Sequence, residues 1–130
     1  MTTIYSVMTR EVISFREATF ITDALELLIE HRISGAPVVD EHNHIVGVVS
    51  EADLISLFWR TDAKVVADVM TRDPTSFSVD GPLVDVVDCL MVNDFRRVFV
   101  HDGAGRMVGL VSRADLMPAL LEELLRRLPG

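Results

Sequence analysis

Gly47-Val48-Val49-Ser50-Glu51-Ala52-Asp53-Leu54 returns 62 positions later as Gly109-Leu110-Val111-Ser112-Arg113-Ala114-Asp115-Leu116. Each copy is a short apolar run followed by a serine, two further residues, an aspartate and a leucine. The run reads as a buried strand, and Ser-x-x-Asp reads as a capping box that opens an amphipathic helix. A helix N-terminus also gathers free N–H groups and the positive end of the dipole, which suits an anion such as a phosphate. One spacing thus supports a structural cap and a ligand site.

Working outward, the same offset aligns residues 7–54 with 69–116 without a gap, and 17 of the 48 positions are identical. Ordinary residue usage would give roughly three. The identities include Val7-Met8-Thr9-Arg10 with Val69-Met70-Thr71-Arg72, Ser14-Phe15 with Ser76-Phe77, Asp23 with Asp85 and Asp40 with Asp102. This is an internal duplication, and it sets the architecture.

Each repeat reads as strand, helix, strand, strand, helix. Extended segments are expected at Val12–Phe15 and Thr75–Phe77. Helices follow: Thr22–Arg32, with Thr22 as N-cap and Asp23 in the first turn, and a counterpart with Pro82 at its first position. Leu25, Leu28 and Ile29 form one apolar stripe, and Val86, Val87, Leu90 and Met91 the other. Ser34-Gly35 and Asn93 are the expected stops. Strand pairs are expected at Ala36–Val39 with Ile45–Val49 and at Val98–His101 with Met107–Val111, the second joined by the turn-forming Asp102-Gly103-Ala104-Gly105. The fold class is therefore α+β, two tandem β-α-β-β-α repeats, each too small to bury its own sheet. The expected boundaries are 1–60 and 69–117 for the repeats, 61–68 for a linker and 118–130 for a C-terminal helical extension. Pro118 should kink or restart that helix. Beyond it Leu121, Leu124, Leu125 and Leu128 form a stripe, Glu122 and Glu123 pair with Arg126 and Arg127, and Pro129-Gly130 ends the helix.

Composition narrows the function classes. Of 130 residues, 49% are hydrophobic and mean hydropathy is +0.33, enough for a substantial core. No apolar run approaches the roughly 18 residues of a membrane span, and the start shows no signal-peptide pattern. Cys89 is the single cysteine, so an intrachain disulfide is excluded and a cytoplasmic location is expected; its place in an apolar helical pattern makes it a small core residue. A net charge of −8 argues against broad nucleic-acid binding. His31, His42 and His44, with Asp40 and Glu41, fall at a helix end and a turn tip and match no metal-ligand spacing, so no metal site is assigned. No nucleophile–base pair, glycine-rich phosphate loop or carboxylate dyad stands out, so the chain is not read as an enzyme and no catalytic residue is named.

Val7-Met8-Thr9, Ser34-Gly35-Ala36-Pro37-Val38-Val39-Asp40 and the repeated stretch resemble a cystathionine-β-synthase (CBS) domain, and the second repeat resembles another. The whole is similar to a stand-alone tandem pair, a Bateman module. The resemblance implies two repeats packed with pseudo-two-fold symmetry and a regulatory, non-catalytic role. It also implies clefts between the repeats for an adenosine ligand such as AMP, ATP or S-adenosylmethionine. The family's terminal Asp, which holds the ribose hydroxyls, carries over to Asp53 and Asp115. The preceding Ser, which reaches the phosphate, carries over to Ser50 and Ser112. The adenine slots would be lined near Ile13, Ala36 and Pro37, or near Thr75, Val98 and Phe99. The second repeat departs from the pattern: Arg96-Arg97-Val98-Phe99 replaces Ser34-Gly35-Ala36-Pro37. Phe99 would reshape one slot, while Arg96, Arg97 and Arg113 would neutralise a polyphosphate.

The alternative is a ligand-independent dimerisation or protein-interaction module, since the capping boxes need no ligand. A homodimer is expected on either reading, from surplus apolar helix surface at Leu54, Leu57, Phe58 and Trp59 and from what the resemblance implies. The C-terminal helix is expected to serve stability or assembly and not ligand binding. The regulated partner is not named by the sequence.

Overall fold

The computed structural model describes residues 2–93 and 95–129. Gly130, expected at the helix end, lies outside them. The elements in order are α1 (Ile4–Val7), α2 (Ile21–His31), β1 (Gly35–Val39), β2 (Ile45–Ser50), α3 (Glu51–Ile55), β3 (Thr71–Arg72), β4 (Ser76–Ser78), α4 (Leu83–Val92), β5 (Arg97–His101), β6 (Met107–Ser112) and α5 (Arg113–Arg127). Short 3-10 turns occupy Ser56–Phe58 and Val66–Asp68. The chain is α+β, with two three-stranded sheets ordered β1-β2-β3 and β4-β5-β6. Among the described residues no helix is long and apolar enough to cross a membrane.

Two compact units emerge, and they are offset from the sequence repeats. The first-repeat unit comprises residues 12–74 with 105–107; the second-repeat unit comprises the described residues of 1–11, 75–104 and 108–130. The segment that precedes the first repeat's helix therefore belongs to the second repeat's unit, and vice versa. In the first-repeat unit β3 runs antiparallel to β2, with Thr71 opposite Val48 and Arg72 opposite Gly47. In the second-repeat unit Thr9 bonds Leu110 in both directions, at 2.8 and 2.9 Å. Thr9 with Leu110 and Thr71 with Val48 are equivalent pairs under the 62-residue offset. We call these two segments the arms.

Glycine is required where the arms land. A Cβ on Gly109 would stand 2.7 Å from the Thr9 carbonyl oxygen and 2.9 Å from Met8 Sδ. One on Gly47 would stand 2.9 Å from the Thr71 carbonyl oxygen and 2.8 Å from Met70 Sδ. These distances are below any real contact, so the bare backbone is what lets each arm close on its strand.

Each unit has its own core. Phe15, Ile21, Ala24, Leu28, Val38 and Val49 gather with the arm residues Val69 and Met70 in the first-repeat unit. Ile4, Val86, Leu90, Val98, Val100 and Val111 gather in the other, with Met8 and Cys89 packed against them. Cys89 is partly buried. Ile4 of α1 and Val66 of the equivalent 3-10 turn are both fully buried, so each arm brings a fully buried apolar side chain to the unit it joins.

Several local expectations are corrected. The N-cap of α2 is Phe20, without a side-chain hydrogen bond, and not Thr22; Ile21 N–H instead donates to the Lys64 carbonyl at 3.0 Å. Its stop is Arg32 in the left-handed region (φ 55°), ahead of Ser34-Gly35; Gly35 is drawn into β1. Pro82 is the N-cap of α4 and not its first helical residue. Around Val12–Phe15 only Phe15 pairs, as a single parallel bridge to Val38. Pro118 lies inside an unbroken α5: at the sixth helical position it removes one backbone bond, to a carbonyl of the first turn, and the helix carries on from both sides. The expected pairs are present, Arg126 to Glu122 at 3.0 Å and Arg127 to Glu123 at 3.4 Å. Leu121, Leu124, Leu125 and Leu128 are all exposed, as are Phe58 and Trp59.

Candidate functional site

Both repeated serines cap the helices that they open. In α3 the Asp53 N–H donates to Ser50 Oγ at 3.4 Å, and the Ser50 N–H donates to Asp53 Oδ2 at 2.9 Å. In α5 the Asp115 N–H donates to Ser112 Oγ at 3.2 Å, and the Ser112 N–H donates to Asp115 Oδ2 at 2.8 Å. The reciprocal pair satisfies donors that a helix start otherwise leaves unmet. The capping reading is therefore realised in full in both repeats.

That geometry commits only one oxygen of each carboxylate to the cap. The other faces the arm: Thr9 Oγ1 donates to Asp115 Oδ1 at 3.0 Å, and Thr71 Oγ1 donates to Asp53 Oδ1 at 3.3 Å. All four residues are at least partly solvent-accessible. Each oxygen has a second lone pair, so a carboxylate held at both ends still has acceptor capacity for hydroxyl donors. Sequence reasoning does not single out Thr9 and Thr71 for the site. Their signal is there, in the repeated Val-Met-Thr-Arg, but the offset shows equivalence and not which copy an arm touches.

Around these carboxylates the other candidates are placed by strand register. Gly35 lies opposite Ser50, and Ala36 and Pro37 come next along β1; the Phe15 N–H donates to the Pro37 carbonyl at 2.9 Å, which brings the strand after Ile13 alongside. Ala36 and Pro37 are fully buried, and Ile13 is partly buried against the same core. In the other unit Ser76 lies opposite Phe99. Val98 and Phe99 are buried, whereas Thr75 is exposed. In each unit the α-helix starts beside the residue where the repeats diverge: the Glu51 N–H reaches the Ser34 carbonyl at 2.9 Å, and the Arg113 N–H reaches the Arg96 carbonyl at 3.2 Å.

Of the three candidate arginines, Arg113 is tied to the backbone. Arg113 donates from Nε to the Phe95 carbonyl at 3.0 Å and from an Nη to the Leu90 carbonyl at 2.9 Å. Its fork thus ties the end of α4 to the start of α5, which competes with a phosphate role. Arg96 is exposed and Arg97 partly so.

The turn tip is held by the Asp40 side chain. Asp40 Oδ1 accepts the N–H groups of His42 and His44 at 2.8 and 2.9 Å; the His44 N–H and then the His42 N–H, with the nearby histidine rings, hold the Asp40 carboxyl below its usual range. One pair that sequence reasoning misses is Ser76 Oγ with His101 Nδ1, 2.9 Å apart across β4 and β5. This has the reach of a nucleophile and base, but among the described residues no carboxylate is hydrogen-bonded to His101, so the orienting third group of a triad is missing.

A family model described as the CBS domain matches residues 4–60 and 66–122. The chain is 31% identical, over an alignment 137 positions long, to the chloroplastic CBS domain-containing protein CBSX2 of Arabidopsis thaliana, covering 82% of this chain and 58% of that one. It thus spans little more than half the length of that relative. A crystal structure of CBSX2 in complex with AMP superposes with a TM-score of 0.86 at 33% identity, covering 95% of this chain and 99% of that one. The CBS domain pair of MJ0100, in complex with methylthioadenosine and S-adenosylmethionine, superposes with a TM-score of 0.80 at 25% identity, covering 95% and 98%. The doubled strand–Ser-x-x-Asp–helix unit and these likenesses agree: the chain belongs to the CBS-domain family and is a tandem pair of CBS domains.

Proposed function

We propose that this chain is a regulatory module that senses an adenosine nucleotide and performs no catalysis. The observation that carries the reading is the doubled Thr–Asp–Ser constellation, in which each capping carboxylate keeps acceptor capacity beside a helix N-terminus. Asp53 and Asp115 take the ribose hydroxyls, and Ser50 and Ser112 meet the phosphate. Ile13, Ala36 and Pro37 serve one adenine, and Thr75, Val98 and Phe99 the other. Arg96, Arg97 and Arg113 neutralise the phosphate. The ligand belongs to the class of AMP, ATP and S-adenosylmethionine, supported by AMP in the CBSX2 structure and S-adenosylmethionine in that of MJ0100. Binding acts on a partner protein by favouring one arrangement of the chain over another. The chain works as a homodimer in a reducing cytoplasm, a placement that fits its lone Cys89.

A second reading has its own support. Both capping boxes are complete without a ligand, and the leucines of α5 are exposed, as a ligand-independent dimerisation module would have them.

Thermal melting with and without millimolar AMP, ATP or S-adenosylmethionine separates the two, because a ligand of the native state must raise the midpoint. A midpoint indifferent to all three favours the second reading. Calorimetric titration then tests the residues. Asp53→Asn and Asp115→Asn each replace a carboxylate by an amide with one acceptor oxygen, and each should lower affinity by about tenfold or more. The lost cap costs about 1 kcal/mol of stability in either repeat. Unchanged affinity in both variants would end the ribose assignment.

A further inference from the structure

Met8 and Met70 are equivalent under the repeat offset, and each lays its sulfur against the glycine on which its arm lands. A Cβ on Gly109 would stand 2.9 Å from Met8 Sδ, and one on Gly47 would stand 2.8 Å from Met70 Sδ. The two side chains differ in access. Met70 is buried, whereas Met8 is partly exposed at the edge of the second-repeat core. We infer that Met8 is an oxidation site, and that its conversion to the sulfoxide by a hydroperoxide lifts the first arm off β6. This oxidation concerns the docking of the arm and stands apart from any ligand of Asp115.

The first arm is lightly held. Among the described residues its backbone bonds to the rest of its unit are the two that Thr9 exchanges with Leu110. The second arm has the pairing of β3 with β2 and more besides. The Lys64 carbonyl before it accepts from Ile21 at 3.0 Å, and the Val66 and Ala67 N–H groups donate to the Thr19 and Glu17 carbonyls at 2.8 and 3.0 Å. The arginines that end the repeated Val-Met-Thr-Arg divide in the same way. Arg72 pairs with Glu17 at 3.5 Å, within the unit that its arm joins, whereas Arg10 stacks over Tyr5 of its own arm, 4.1 Å from the ring centre. A segment with few bonds opens locally at low cost, so a dissolved oxidant reaches Met8 ahead of Met70.

The thioether sulfur attacks the hydroperoxide. With hydrogen peroxide, an S–O bond forms and the O–O bond breaks; the sulfur loses two electrons and the peroxide gains them. The proton on the transferred oxygen passes to the departing hydroxide, which leaves as water. The product puts a polar, chiral group where a flexible apolar one had been. In the closed arm that group lies between the Gly109 backbone and the apolar cluster of Ile4, Val98 and Val111. Burying its oxygen without a donor is unfavourable, and the open arm relieves this by hydrating it. Thr9, next in the chain, then gives up Leu110 and the 3.0 Å bond from its hydroxyl to Asp115 Oδ1. Met91 and Met117 are exposed and also open to peroxide, but neither belongs to an arm or to a strand that receives one.

The test treats the full chain with graded hydrogen peroxide, maps sulfoxides by peptide mass spectrometry and reads hydrogen exchange at the Thr9 and Leu110 amides. It is run in a Met91→Leu, Met117→Leu background, with and without Met8→Leu, which keeps an apolar side chain of similar volume. Met8 should be converted before Met70. Exchange at Thr9 and Leu110 should then quicken by about tenfold or more, and β3 should stay protected. Methionine sulfoxide reductases should restore the slow exchange, and in Met8→Leu peroxide should leave it unchanged. Should that variant fail to fold, a half-oxidised sample serves instead: the peptide holding Met8 and Thr9 exists there in sulfoxide and thioether forms that differ in mass, and their exchange is compared directly. Oxidation of Met70 ahead of Met8, or a Met8 sulfoxide whose Thr9 amide exchanges no faster than that of the thioether form, overturns the inference and leaves the nucleotide-sensing reading untouched.

Discussion

The two units are built from one pattern, and they differ most just beyond the shared Ser-x-x-Asp. In the first-repeat unit the helix lasts five residues and gives way to a 3-10 turn; in the second it runs for fifteen, through a proline. The capping box is the same in both, with the same hydrogen bonds. A cap therefore decides where a helix starts and says nothing about how far it goes. Downstream of the cap, α5 carries the Glu122–Arg126 and Glu123–Arg127 pairs, whereas the first repeat's chain turns through Ser56–Phe58 and goes on to Val66 in the first-repeat core. The two copies share the Gly, Ser, Asp and Thr that make an arm fit and part company beyond the shared Leu54 and Leu116.

The largest effects should come from the paired core positions. Leu28 and Leu90 are equivalent under the repeat and both are buried. Leu28→Ala and Leu90→Ala should each lose about 2–5 kcal/mol, read from denaturant unfolding. A cost below about 1 kcal/mol in one of them would mean that the two cores do not carry equal weight. Separate transitions in either variant would show that the units unfold independently.

Next come the glycines under the arms. Gly47→Ala and Gly109→Ala both place a methyl against a backbone carbonyl, which cannot swing aside as a side chain does. Each should cost about 1–3 kcal/mol, and hydrogen exchange should quicken at Leu110 in one variant and in β3 in the other. Tolerance of Ala at either site, with the arm still protected, would break the account of arm docking.

The smallest effect separates the arms by acid. Asp68 and Ser6 are equivalent and both accept backbone N–H groups near their arm, but only Asp68 titrates. The N–H groups of Lys64 and then Val65 hold its carboxyl below the usual range. A lowered folded-state pKa means that the contribution is complete above the ordinary value of 3.8 and is lost as pH falls below it. Asp68→Asn should slightly lower the melting temperature at neutral pH and reduce the steepness of acid unfolding, whereas Ser6→Ala should leave the pH dependence alone. Equal acid profiles for wild type and Asp68→Asn would remove Asp68 from this role.

Much of this is legible in the sequence because duplication doubles each weak signal. Helices α2 and α4, strands β1, β2, β4, β5 and β6 and the serine caps derive from short-range patterns, and the structure places them within a residue or two, whereas α1 and β3 lie outside the expected elements and the strand expected at Val12–Phe15 shrinks to one bridge. What the sequence hides are choices made by tertiary contact. Phe20 starts α2 because Ile21 finds the Lys64 carbonyl, not because a side chain caps it. Arg32 ends it in a conformation usually taken by glycine. Pro118 reads as a break, but near a helix start one missing donor is tolerated. In the candidate site the carboxylates and serines are readable, whereas Thr9 and Thr71 are not, because period alone shows which segments are alike and never which segments meet.

The exchange of arms has a consequence for what happens if the chain is cut. A break between the repeats, at residues 61–65, would leave each arm on one fragment and the glycine-bearing strand that receives it on the other. The two fragments would then have to find each other to close either unit, so nicking turns a folding problem inside one molecule into an association that depends on concentration.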